Sequence, residues 1–155
     1  MKQALHFTVL FFLSMNLSAQ ERPLNTGLSN DEQYAFVGMT LEQLIERFGP
    51  PRTVAVSRGI ETWQDDAVFR YTGVDFYIYI NRVWQVQFTA LNGISHGDRK
   101  TAVLLILGDA AEDKGDHVLM PVNTKDWTLM LRINFNSTES TGQVAAIFLY
   151  RPDFY

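Results

Sequence analysis

Gly38-Met39-Thr40-Leu41-Glu42-Gln43-Leu44-Ile45-Glu46-Arg47-Phe48-Gly49-Pro50 decides how this chain is read, because its outline returns at Gly97-Asp98-Arg99 and Leu107-Gly108-Asp109. In both stretches a glycine precedes a short helical segment and a second glycine closes it, eleven residues on. An internal repeat constrains architecture before any single side chain does. Within the first copy, Thr40 and Gln43 have the form of a capping box. Leu41, Leu44, Ile45 and Phe48 make one apolar stripe, and Gly49-Pro50-Pro51 stops the ladder. The second copy, Lys100–Leu107, is apolar all round and is expected to be buried on more than one side. Ahead of the first copy, Asp31–Val37 is a short helix candidate.

Outward from each helix the hydrophobic period changes to two. Arg52–Val56, Glu61–Trp63 and Ala67–Tyr71 are short strand candidates. Asp75–Phe88 reads as a hairpin in which Phe76, Ile78, Trp84, Val86 and Phe88 alternate with Tyr77, Tyr79, Gln85 and Gln87. Loop length fixes its register. A three-residue loop, Asn81-Arg82-Val83, pairs Ile80 with Trp84 and puts both glutamines outside. After the second helix, Val118–Val122 is a strand whose Pro121 suggests an edge. Leu129–Phe135 and Gln143–Arg151 follow, joined by the polar turn Asn136–Gly142. The expected fold is α+β: two tandem units, residues 31–92 and 93–155, each one or two short helices on a three- or four-stranded antiparallel meander.

The N-terminus has its own signature. Met1-Lys2, the apolar run Phe7–Met15 and the small residue Ala19 have the layout of a secretory signal peptide over residues 1–19, with a polar, flexible lead-in at 20–30. The product is expected to be periplasmic or secreted, without membrane insertion after cleavage. The whole chain carries a formal net charge of −4, and losing Lys2 with the leader widens the acidic excess by one. With no cluster of Lys or Arg, nothing suits nucleic acid or an anionic membrane. The chain has no cysteine, hence no disulfide and no lipid-bearing N-terminal cysteine.

Gly38-Met39-Thr40, Leu44 and Phe48-Gly49-Pro50 resemble the helix signature of the SmpA/OmlA/BamE outer-membrane assembly lipoproteins, with Trp63 and the Phe76–Phe88 hairpin where that pattern places strands. The duplicated layout over Asp31–Tyr150 is similar to that of the beta-lactamase inhibitor protein family. The resemblance implies a protein-binding role in the bacterial envelope or secreted fraction, with no catalytic residues to carry over. The absence of cysteine departs from both.

Three constellations invite chemistry. Gly93-Ile94-Ser95-His96-Gly97 has the form of the G-x-S-x-G nucleophile elbow, with Asp109 and His117 following in hydrolase order. An elbow needs a central parallel strand, whereas Trp84–Phe88 alternates like a half-exposed antiparallel one. Asp109, Glu112, Asp113 and Asp116 suggest calcium, yet the sixth and twelfth positions from Asp109 are Lys114 and Met120 rather than glycine and a bidentate acid. Two histidines beyond the leader do not make a zinc set. No metal and no cofactor are expected. Asn136-Ser137-Thr138 also matches a glycosylation sequon.

The aromatic pattern gives the leading expectation. Tyr77 and Tyr79 point away from the helices beside Gln85 and Gln87, and Arg70, Met130 and Arg132 join them. Tyrosine, arginine and methionine are favoured at protein interfaces. The sequence therefore predicts an exported, non-enzymatic module that binds a protein partner on its uncovered sheet face. The alternatives are a small serine hydrolase using Ser95 and a structural protein that self-associates through its strands.

Overall fold

The computed structural model describes residues 22–59 and 65–153. The expected leader and the strand expected at Glu61–Trp63 lie outside them. The lead-in, expected to be mobile, is tied down from Leu24 onward: the Leu24 amide donates to the Thr72 carbonyl at 2.8 Å and the Asn25 side chain to that of Ala90 at 2.7 Å.

Strands β1 (Thr53–Ser57), β2 (Asp66–Tyr71), β3 (Val74–Tyr79) and β4 (Arg82–Phe88) form an antiparallel meander. The chain then leaves the sheet through a ribbon of β5 (Ala90–Leu91) and β6 (Ile94–Ser95) and the helix α3 (Lys100–Leu107). It re-enters at the far edge as β7 (Glu112–Asp113), and β8 (His117–Asn123), β9 (Thr128–Phe135) and β10 (Val144–Tyr150) meander back. The last strand docks beside β4, with Ile147 opposite Phe88 and Leu149 opposite Val86.

That pairing corrects the expected architecture. There are not two tandem helix-plus-sheet units. The described residues hold one eight-stranded antiparallel sheet, in the order β1-β2-β3-β4-β10-β9-β8-β7, carrying three short α-helices. The reason is the apolar edge of the first meander. Val83, Val86 and Phe88 would stand half-covered at a sheet margin, and β10 supplies the matching Ile147 and Leu149. One core cluster accordingly contains Phe36, Leu44 and Phe76 from the first half together with Val103, Ile133 and Leu149 from the second.

The helices cover one face of this sheet. α1 (Asn30–Tyr34) and α2 (Leu41–Phe48) each begin with a capping box, Ser29 with Glu32 and Thr40 with Gln43. Phe36 and Phe48 meet edge to face at 5.3 Å, and Phe76 lies 5.5 Å and 6.0 Å from them, so the α1–α2 corner is seated by aromatic packing. α3 departs from expectation. Its Val103 is buried, but Leu105 is 84% and Ile106 50% exposed, because α3 meets the sheet along one side only.

The two sequence copies have matching anchorages. Gly38 donates to the Val83 carbonyl and receives the Arg82 guanidinium on its own, while Val83 donates back to Met39. Gly97 donates to the Val144 carbonyl and Val144 donates back to Asp98. The repeat thus clips α2 to the start of β4 and α3 to the start of β10, neighbouring strands of the one sheet. At α3 a buried lysine completes the attachment. Lys100 Nζ lies 2.7 Å from the Gly115 carbonyl, 2.8 Å from Asp113 Oδ1 and 5.6 Å from the Phe135 ring centroid. A lysine this buried is tolerated because all of these acceptors converge on it.

Hairpin register differs from expectation as well. The β3–β4 turn is Ile80-Asn81, both with positive φ (41° and 63°), a two-residue turn of the kind that suits strand twist. Ile78 therefore pairs with Val83 rather than Val86, and a bulge between the Ile78 and Tyr77 pairs sets Phe76 opposite Val86 rather than Phe88. Ile80 ends up 77% exposed at the turn rather than opposite Trp84.

Two outcomes follow from this architecture. Denaturation should be a single cooperative transition seen identically by circular dichroism and tryptophan fluorescence, and Leu149→Ala should lower the whole transition by about 2–5 kcal/mol. Two separable transitions would contradict the single core. Gly38→Ala should cost about 2 kcal/mol or more, since φ is +97° there and a Cβ would stand 2.7 Å from Trp127 Cη2. Trp127→Ala should relieve part of that cost in the double variant, as measured by urea denaturation.

Candidate functional site

Because side chains alternate along a strand, the register assigns every residue to a face. Opposite the helices, one cross-strand row runs Thr53, Arg70, Asp75, Gln87, Phe148, Arg132, Leu119. The adjacent row runs Ala55, Val68, Tyr77, Gln85, Tyr150, Met130, Pro121. Arg70, Tyr77, Gln85, Gln87, Met130 and Arg132 therefore lie in two neighbouring rows of one face. Tyr79 shares that face at the β3–β4 turn, opposite Arg82. All the residues that the sequence offers for partner binding are thus brought to one side of one sheet.

The face is held in place by its own contacts. Tyr77 donates to Gln87 Oε1 at 3.0 Å and meets the Phe148 ring edge to face at 6.5 Å. Arg70 Nε lies 3.5 Å from Asp75 Oδ2, and Arg132 Nε donates to Asn134 Oδ1 at 2.8 Å. Burial raises the Asp75 pKa, which the Arg70 charge partly offsets. Burial also raises that of Tyr77, with the Asp75 charge adding to it.

Sequence reasoning missed three members. Trp84, expected beneath the helices, sits on this face because the bulge places Trp84 and Gln85 together opposite Tyr77. Its indole donates to Asp66 Oδ1 at 3.0 Å. Phe148 and Tyr150 also lie on it, and their alternation with Ile147 and Leu149 along β10 is the sequence signal that separates them from the core.

The other constellations do not assemble. Ser95 belongs to the β5–β6 ribbon, whose turn is Asn92-Gly93, both with positive φ (55° and 76°). Asn-Gly is a strong hairpin signal in the sequence itself. The Ser95 amide is bound by Asp98 Oδ2 at 2.7 Å, and His117 Nδ1 lies 2.6 Å from Asp116 Oδ1. Every strand pair around them is antiparallel. In the acidic loop, Asp113 is held by Lys100 and the Gly115 amide, and Glu112 pairs with Lys114. Among the described residues no group of three or more His, Cys, Asp or Glu is placed to hold a metal. A cleft of about 990 Å³ lies between α1–α2 and the β8–β9 turn and includes Asp31, Arg47, Arg82, Lys125 and Trp127. Its charges are mixed, and its indole is occupied by Gly38 and by the Arg151 guanidinium at 4.6 Å.

No protein-family model matches the chain, and no curated protein matches it. Among solved structures it is similar to an extracellular protein containing a SCP domain from Bacillus anthracis, at 11% identity and a TM-score of 0.49, over 76% of this chain and 45% of that one. The chain thus spans less than half the length of that protein, and a likeness this distant carries no functional argument. Among the described residues no helix is long and apolar enough to cross a membrane.

The raised pKa of Asp75 makes a pH prediction. Its protonated form is the better accommodated, so its stabilising contribution is present below its unfolded pKa and is lost as pH rises through the raised folded value. Asp75→Asn should therefore be at least as stable as the parent at pH 7, and the difference should shrink as pH falls toward 3 in urea denaturation. The ion pair with Arg70 is exposed enough to weigh little against this.

Proposed function

We propose that this chain is an exported, non-enzymatic binding module that docks a protein partner on the sheet face opposite its helices. The observation that carries the reading is the co-location of Tyr77, Tyr79, Tyr150, Phe148, Met130, Arg70 and Arg132 on adjacent strands of that face. Large amphipathic side chains of these types combine contact area with hydrogen-bonding ends, and they dominate protein interfaces. Holding them on paired strands limits the conformational entropy lost on docking. Gln85 separates Tyr77 from Tyr150 in one row, and in the next Arg70 and Arg132 flank Asp75, Gln87 and Phe148, which favours a mixed polar and apolar protein surface over a lipid or a polyanion. The signal-like N-terminus supports export to the periplasm or beyond. The resemblance of residues 38–50 to the SmpA/OmlA/BamE signature supports an envelope or secreted protein as the partner.

Tyr79→Ala combined with Arg132→Ala should weaken partner capture by about tenfold or more, with an unchanged circular dichroism spectrum. Cross-linking in the source cell followed by mass spectrometry supplies the partner for that measurement. Capture that survives the double substitution undiminished would remove this face from consideration.

A further inference from the structure

The two edges of the sheet are built differently. On the far side β7 is two residues long and acidic, Glu112–Asp113, which leaves little ladder for another chain to join. On the near side β1 presents Thr53-Val54-Ala55-Val56-Ser57, five residues without charge or proline, as the outermost strand. Val54 and Val56 are 58% and 57% exposed and lie on the same side of it. An uncharged edge of this kind, rich in β-branched residues, is a template for an added strand.

Charge decides which strand fits. Arg52 and Arg58 bracket β1, their guanidinium groups bound to Thr72 Oγ1 at 3.0 Å and Asp65 Oδ2 at 2.6 Å. The Arg58 side chain is 75% exposed. A second copy pairing antiparallel about Ala55 would match Val54 with Val56, but it would set Arg52 against Arg58 at both ends. Like charges directly opposite are destabilising. An extended segment with acidic residues at the flanks and apolar residues opposite Val54 and Val56 meets the same edge with opposite charges.

We propose that β1 is a strand-addition site for an acid-flanked extended segment of a partner protein, separate from the face that carries Tyr77 and Arg132. An added strand would extend the two cross-strand rows beyond Thr53 and Ala55, so both surfaces could be engaged by one partner.

The test uses the full chain and two capped peptides, Glu-Thr-Val-Thr-Val-Thr-Glu and its counterpart with lysine at both ends. Amide exchange followed by NMR should show that the acidic peptide newly protects those amides of Thr53–Ser57 that point away from β2. The lysine peptide should bind about fivefold or more weakly, as expected for two exposed ion pairs. Arg52→Glu combined with Arg58→Glu should invert that preference. Absence of protection with either peptide, or equal affinity for both, overturns the proposal. So does concentration-dependent dimerisation in sedimentation that protects these amides without peptide, since β1 would then be occupied by a second copy. The peptide comparison on the parent protein stands by itself should the double variant fold poorly.

Discussion

The pairing of β4 with β10 is the contact on which the molecule depends. It joins strands that end some sixty residues apart, Phe88 beside Ile147 and Val86 beside Leu149. Without it each meander would end at an apolar margin, and each helix layer would cover too little sheet to bury a core of its own. With it, Val83, Val86, Ile147 and Leu149 sit in the middle of a continuous sheet and are almost wholly excluded from solvent. Both helix-leading glycine turns are clipped to these same two strands. Loss of the seam would therefore release the helix layer along with the sheet.

The helix boundaries were legible because their causes are local. A capping box and an apolar stripe in α2, and a glycine stop in both helices, act over single turns, so α2 and α3 fall where sequence places them. The repeat was legible for the same reason, since it records two similar clips. Its meaning was not, because which edge pairs with which is a nonlocal choice. Alternation assigns a side chain to a face and is silent about the neighbouring strand. The burial of Lys100 was hidden likewise. Its acceptors at Asp113, Gly115 and Thr138 come from turns that only the fold brings together.

The candidate face shows how a register error can leave a site largely intact. A three-residue loop was expected at Asn81, whereas the chain makes a two-residue turn and absorbs the difference in a bulge. Tyr77, Gln85 and Gln87 keep their side because the bulge restores the alternation beyond it. Trp84 alone changes face, leaving the core for a hydrogen bond to buried Asp66. An indole has an apolar body and one donor, so it suits a half-buried surface with an acceptor better than a core already filled by Phe36, Phe48 and Phe76. In this respect the bulge positions an additional aromatic beside Tyr77 rather than merely correcting a mismatch.

The sheet's two margins differ in what they leave open to another strand. Wide antiparallel sheets risk uncontrolled pairing at their edges, and the far margin here is blunted by brevity and carboxylates. The near margin is not blunted within β1 itself, and its restraint comes from outside the strand, from Arg52 and Arg58. Charges so placed discriminate among incoming strands without occupying the ladder, because they oppose a like-charged end and admit an oppositely charged one. Val54 and Val56 can then remain exposed, because what the edge admits is limited at its ends rather than along its length.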